Sequence, residues 1–70
     1  MLAVKIREKP FQEIRIEMLK RNMNHESLGR MLGLSTPAVS KRLSKKAPWK
    51  LPELIIMSKK FGRSIDELVS

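Results

Sequence analysis

Apolar residues recur at helical spacing along most of the chain, beginning after residue 10. The first predicted helix covers residues 11–22, and Pro10 suits its first turn, where a missing N–H leaves no hydrogen bond unmade. Its predicted apolar face consists of Phe11, Ile14, Met18 and Leu19. Asn24 is a favourable N-cap for a second helix, which ends at Gly33 and has an apolar face of Leu28, Met31 and Leu32.

The third predicted helix follows at once. The hydroxyls of Ser35 and Thr36 can both cap it. Thr36 is favoured as the cap and Pro37 as the first helical residue, because a proline disfavours helical angles in the residue before it. Val39 and Leu43 share its buried face. The segment KKAPWK ends this helix, and Trp49 within it is expected to plug the edge of the core rather than to stack on a ligand.

Two more helices complete the pattern. Pro52 begins a fourth helix that ends at Gly62, with an apolar face of Leu51, Leu54, Ile55, Ser58 and Phe61. Ser64 and Glu67 form an S-x-x-E capping box for a short fifth helix containing Leu68 and Val69. The pattern therefore predicts an all-α fold, a compact five-helix domain over residues 10–70.

The first nine residues follow a different period. Leu2, Val4 and Ile6 alternate with less apolar residues, as in a strand. Because a lone strand is not stable in isolation, residues 1–9 are predicted to form a short extended arm. Four arrangements of the arm are possible: it lies on the domain, pairs with a second copy of the chain, pairs with another protein, or stays disordered.

Charge and composition narrow the function. The 70 residues carry 15 Lys and Arg against 7 Asp and Glu, a net charge of +8, which attracts polyanions and makes nucleic acid the leading partner. No apolar run approaches the roughly 20 residues of a membrane span, and MLAVKIREKP is too short and too charged for a signal peptide. A soluble protein that is not exported is expected.

Catalytic chemistry has little support in the sequence. There is no cysteine, and the single histidine, His25, cannot form a metal site alone. Asp66 and Glu67 are adjacent on a predicted helix and so diverge, and no glycine-rich phosphate loop is present. We expect neither an enzyme nor a cofactor or metal.

Residues 26–43, ESLGRMLGLSTPAVSKRL, have the layout of a helix-turn-helix. The small Gly29 lies where the second and third helices must approach, and Gly33 lies in the turn. At this point the chain resembles the Cro and phage-repressor type of DNA-binding domain, the lambda-repressor-like family, over about residues 11–69. The resemblance implies that the third helix lies in the DNA major groove and that the second crosses the backbone.

Mapped onto this chain, the resemblance implies two sets of DNA contacts. Lys41 is expected to donate to guanine O6 and N7. The complete base-contacting set is Thr36, Pro37, Ala38, Ser40 and Lys41. The phosphate-contacting set is Asn24, His25, Ser35, Ser44, Lys45, Lys46 and Lys50. Arg42 remains open between a DNA contact and a stem that covers the core.

The sequence departs from the family pattern at two places. Many members pair an Arg in the first helix with a Glu at the end of the third, whereas Met18 and Leu43 hold those positions here and predict an apolar contact instead. The glycine often found after the third helix is Lys45, for which a left-handed conformation costs roughly 1 kcal/mol. The loop there is therefore expected to run differently.

The resemblance and the charge together predict a sequence-specific, double-stranded DNA-binding transcription regulator. The closest type is a phage Cro-like repressor, acting as a homodimer on an operator in the cytoplasm of a bacterial host, at the nucleoid. Its interface is expected either on the fourth and fifth helices or on the arm, with the candidates Ile56 and Val69, or Leu2, Val4 and Ile6.

Two alternatives stay open. One is a helix-turn-helix scaffold that binds a phage repressor protein as a modulator or antirepressor, which the apolar arm and the stray Ile16 and Ile56 favour. The other is nonspecific nucleic-acid binding driven by charge alone.

Overall fold

A computed structural model of the protein describes residues 10–69, in which the chain forms five helices and no strand. They are α1 (Gln12–Lys20), α2 (His25–Leu32), α3 (Thr36–Leu43), α4 (Leu51–Phe61) and α5 (Ile65–Val69). The predicted all-α, five-helix fold is confirmed. The predicted arm over residues 1–9, with the interface candidates Leu2, Val4 and Ile6, lies outside the described residues.

A single apolar core receives side chains from all five helices. α2 packs mainly against α3, while α5 packs against both α1 and α4. Because α5 has only five residues, Leu68, which is fully buried, is its main anchor in this core. The buried core residues are Ile14, Met18, Leu28, Leu32, Val39, Leu43, Leu54, Met57, Phe61 and Leu68.

Two predicted apolar faces are displaced from the observed ones. Leu19 is 82% exposed, because α1 presents Ile14 and Met18, four residues apart, to the core and turns its next residue outwards. On α4 the buried stripe runs through Met57, and the predicted Leu51 and Ile55 are exposed. Ile56, expected to lie off the stripe, packs partly buried against the core.

The start of α3 also differs from the prediction. Ser35, and not Thr36, is the N-cap, and its Oγ accepts a hydrogen bond from the Ala38 backbone N–H at 3.3 Å. Thr36 is the first helical residue and Pro37 the second. Proline fits there equally well, because none of the first-turn N–H groups has a partner within the helix.

The start of α1 is set by Phe11 rather than by Pro10. Phe11 adopts the left-handed conformation, with φ 56°, and the helix begins at Gln12, so Pro10 lies outside its first turn. The Phe11 ring meets the Trp49 ring edge to face, with 6.0 Å between centroids. Trp49 packs against the core, as predicted. The residue with the unfavourable backbone angle, Phe11, is thus the one whose ring contacts Trp49.

An ion cluster around the buried Glu17 fixes α1 to the segment between α4 and α5. Arg63 donates from Nε to Glu17 Oε2 at 2.8 Å and from a terminal nitrogen to Glu13. Glu17 is buried, and Lys20 and Arg21 also lie within ion-pair distance of it. The hydrogen bond from Arg63 holds the pKa of Glu17 below its ordinary value of 4.5, although burial opposes the shift.

Candidate nucleic-acid interface

The angle between α2 and α3 depends on close approach at Gly29. A Cβ atom at this position would lie 2.5 Å from the Leu34 carbonyl oxygen and 3.4 Å from Val39 Cγ2. The Leu34 N–H in turn donates to the Gly29 carbonyl at 2.8 Å. Only glycine therefore allows the turn between the two helices to pack this tightly, as the sequence indicated.

The N-terminus of α2 is held by a reciprocal cap. The Ser27 N–H donates to Asn24 Oδ1, and the Asn24 N–H donates to Ser27 Oγ, each at 2.8 Å. This cap occupies one of the first-turn N–H groups and leaves the others free of intrahelical partners. Such groups, with the positive end of the helix dipole, suit a phosphate oxygen.

A side-chain hydrogen bond joins this terminus to α3. His25 Nδ1 and Ser40 Oγ lie 2.9 Å apart. Both residues belong to the predicted DNA contacts, so the structure brings a predicted phosphate contact next to a predicted base contact. A hydroxyl both donates and accepts, so Ser40 keeps hydrogen-bonding capacity beyond this contact.

The face of α3 opposite the core is exposed. Thr36 and Ser40 form one row, four residues apart, and Pro37 and Lys41 form the next. Ala38 is half-buried at the edge of this face. The predicted base contacts are thus gathered on one side of α3, while Val39 and Leu43 hold the other side in the core.

Arg42 takes the structural alternative that the sequence left open. Its Nε donates to Glu53 Oε1 at 2.9 Å, and Glu53 is buried. The same oxygen accepts from the Lys50 backbone N–H at 2.9 Å, where it caps the start of α4. Arg42 therefore fixes α3 to α4 and is not available to DNA.

The loop after α3 keeps the left-handed turn that a glycine would usually supply. Lys45 has φ 66°, so the expectation that the loop runs differently is wrong. The Lys46 N–H donates to the Lys41 carbonyl at 2.8 Å, and the Lys45 N–H donates to that of Arg42 at 3.3 Å. These two hydrogen bonds are those of a Schellman motif, and they hold Lys45 in the left-handed conformation although lysine prefers a negative φ.

Hydroxyl groups at the two ends of α3 are already engaged with the backbone. Ser35 Oγ serves the N-cap, and Ser44 Oγ donates to the Ser40 carbonyl at 2.9 Å. Both residues remain exposed. As predicted phosphate contacts they therefore have fewer free hydrogen-bonding groups than the lysines beside them.

Uncompensated positive charge lies along α3 and the loop that follows it. Within residues 10–69, no carboxylate lies at ion-pair distance from Lys41, Lys45, Lys46 or Lys50, and all four are exposed. By contrast, most cations elsewhere have acidic partners: Lys20, Arg21, Arg30 and Arg63. Of the described cations away from this region, Arg15, Lys59 and Lys60 lack one.

Sequence reasoning missed the contact that anchors the end of α3 to α1. Arg15 donates from Nη2 to the Leu43 carbonyl at 2.9 Å and from Nε to the Pro10 carbonyl at 2.8 Å. Met18 and Leu43, where many family members have an ion pair, are both in the core, which agrees with the predicted apolar replacement. Nothing in the sequence pattern pairs residue 15 with a carbonyl 28 positions away.

The model of the helix-turn-helix family matches residues 14–68, which is well over half of the chain. Comparisons with curated proteins and with solved structures gave no match. Among residues 10–69, no helix is long and apolar enough to cross a membrane. The same residues contain no group of three or more side chains arranged to hold a metal ion.

Proposed function

We propose that this chain, which belongs to the helix-turn-helix family of non-enzymatic, DNA-binding transcriptional regulators, represses transcription by occupying a specific operator as a phage Cro protein does. The observation that carries the proposal is the coincidence of two features. The exposed face of α3 presents small and polar side chains, and four lysines that have no carboxylate partner within residues 10–69 lie on this helix and directly after it.

In this proposal α3 reads bases in the major groove. Lys41 donates to guanine, Thr36 and Ser40 bond to base edges, and Pro37 with Ala38 contacts a thymine methyl. Each of these side chains lies on or beside the exposed face of α3. The small residues favour close approach of the helix backbone to the groove, so that Lys41 can reach across it.

The phosphate contacts position this helix. The α2 terminus at Asn24 and His25 receives one phosphate, and Lys45, Lys46 and Lys50 receive others on the far side of α3. Their lack of acidic partners within the described residues leaves them free to replace counterions on DNA.

The operator is proposed to have two half-sites about one helical turn, roughly 34 Å, apart, each bound by one copy of the chain. A homodimer would need a further apolar surface. On α4 and α5 the exposed apolar side chains are Leu51, Ile55 and Val69. Because Ile56 packs against the core, Ile55 with Val69 is a better candidate interface than the predicted pair of Ile56 and Val69.

Selection of bound duplexes from a random pool, followed by salt titration, tests this function. We expect a selected sequence with two related half-sites, bound more tightly than random DNA. If about six phosphates are neutralised, the logarithm of affinity falls with the logarithm of salt concentration with a slope near −5. Equal affinity for selected and random duplexes would support nonspecific binding instead.

An antirepressor on the same scaffold is the second candidate. It is favoured by Leu19, whose side chain is a large apolar group almost fully exposed on α1. Such a protein would bind a repressor and not DNA, so the absence of DNA binding even at low salt would support it and contradict the operator model.

A further inference from the structure

An open groove lies between α1 and α3, beside the proposed DNA-binding face. Its volume is about 510 Å³, within the range typical of small-molecule sites. We call it the α1–α3 groove. Its lining includes Arg15, Met18, Leu19, Met23, Thr36 and Leu43.

The groove is mainly apolar. Met18 and Leu43 line it and are core residues that expose only 6% and 1% of their surface, so the base of the groove is the edge of the core. Met23 is half-buried, and Leu19 exposes 82% of its surface. An apolar ligand that covered Leu19 and Met23 would remove this surface from water, which is favourable.

The charged side chains that line the groove are Arg15 and Glu26, and Glu26 already pairs with Arg30 at 3.9 Å. The Arg15 guanidinium is held by the Pro10 and Leu43 carbonyls through Nε and Nη2. Its Nη1 has no hydrogen-bond partner within residues 10–69, and no carboxylate there lies at ion-pair distance. Because both acceptors are backbone carbonyls, the guanidinium is oriented before any ligand arrives, and it still has donors for a carboxylate.

The length of the groove indicates the size of its ligand. Thr36 and Leu43, which line it from the two ends of α3, are seven residues and so about 10 Å apart along the helix axis. This is of the order of the length of an extended chain of about eight carbons. We propose that the α1–α3 groove binds a small apolar monocarboxylate, with the carboxylate on Arg15 and the hydrocarbon part over Met18, Leu19 and Met23.

Such a ligand would compete with DNA. Thr36, Asn24 and His25 line the same groove, and all three belong to the proposed DNA contacts. This regulatory consequence rests on the proposed function, whereas ligand binding itself does not. The two are therefore tested separately.

The first test measures binding of octanoate to the protein without DNA, by NMR titration or calorimetry, with 1-octanol as the neutral match. We expect saturable binding of octanoate with a dissociation constant on the order of 1 mM, and binding of 1-octanol that is about tenfold weaker. Arg15→Gln should remove this difference. No saturable binding of octanoate, or equal binding of both compounds, would overturn the proposal.

A surface variant covers the case in which Arg15→Gln fails to fold. Leu19→Glu places a carboxylate, which repels that of octanoate, at the exposed side of the groove and should weaken octanoate binding about tenfold. Leu51→Glu makes the same change at an exposed leucine of α4 that does not line the groove and should leave octanoate binding unaltered. An equal effect of both variants would contradict the site. Binding to phosphatidylglycerol vesicles without binding to octanoate would identify a lipid surface and overturn the small-molecule assignment.

The second test adds DNA. Octanoate at ten times its dissociation constant should weaken operator binding about tenfold, since the two ligands exclude each other. Octanoate binding that leaves DNA affinity unchanged would overturn the competition. A protein that binds octanoate but no DNA would support the groove and contradict the proposed function, so the two failures are distinguishable.

Discussion

At the scale of single residues, Lys45 shows how a local preference yields to its surroundings. Lysine disfavours the left-handed conformation, yet the hydrogen bonds that close α3 hold Lys45 at φ 66°. Asn22 adopts the same conformation after α1, where asparagine tolerates it better. The sequence identified Lys45 as the unusual position, but the expectation that the loop would change course was wrong, because the hydrogen bonds that close α3 are not visible in the residue pattern.

Replacing Lys45 with glycine should therefore stabilise the protein. Lys45→Gly removes the steric conflict and is expected to raise the free energy of unfolding by about 1 kcal/mol. Lys46→Gly removes the same charge from the next residue, which has no positive φ, and should not be stabilising. Urea denaturation of both variants measures the difference, and equal stabilities would contradict the strain argument.

At the scale of helices, buried ion pairs decide how the elements sit against one another. Local signals sufficed to predict five helices in the right order, because caps, prolines and glycines act on their own neighbours. They did not predict Arg42 with Glu53 or Arg63 with Glu17, whose partners lie 11 and 46 residues apart. Nor did they show that Leu19 and Ile55 face solvent, since adjacent residues of an apolar run differ by 100° around the helix.

The two residues of the Arg42–Glu53 ion pair, which joins α3 to α4, should contribute to stability as a unit. Arg42→Met leaves the buried Glu53 without its cationic partner and is expected to lower the free energy of unfolding by about 3 kcal/mol. Adding Glu53→Leu should recover most of that loss, because it removes the uncompensated charge. Chemical denaturation of the single and double variants measures the coupling free energy between Arg42 and Glu53. Additive losses would show that the pair does not form.

The ion cluster around Glu17 should make the stability of the folded protein depend on pH in the acidic range. The pKa of Glu17 is lowered in the folded state, so its contribution is fully present above the unfolded value of about 4.5 and is lost as pH falls through the lower folded value. Melting temperatures should therefore drop below pH 4.5, and Glu17→Gln should flatten that part of the profile. An unchanged acid profile in Glu17→Gln would assign the loss to other carboxylates.

At the scale of the whole molecule, placement of charge matters more than its amount. The net charge of +8 predicted a polyanionic partner, and the helix-turn-helix pattern indicated which cations would face it. Four lysines, Lys41, Lys45, Lys46 and Lys50, are exposed and have no carboxylate partner within residues 10–69, whereas Arg42, which the sequence left open, is paired with Glu53. The α1–α3 groove could not have been read from the sequence, because it depends on how two non-adjacent helices are spaced.

In the proposed complex with DNA, α3 reads bases while the loop after it binds phosphates. The most direct test compares Lys41→Ala with Lys46→Ala on selected and random duplexes, with Lys59→Ala on the far end of α4 as the control. Lys41→Ala should weaken selected DNA by about 1–3 kcal/mol more than random DNA, and Lys46→Ala should weaken both equally and reduce the salt slope by about 1. If Lys41→Ala weakened the two duplexes equally, α3 would not be the reader.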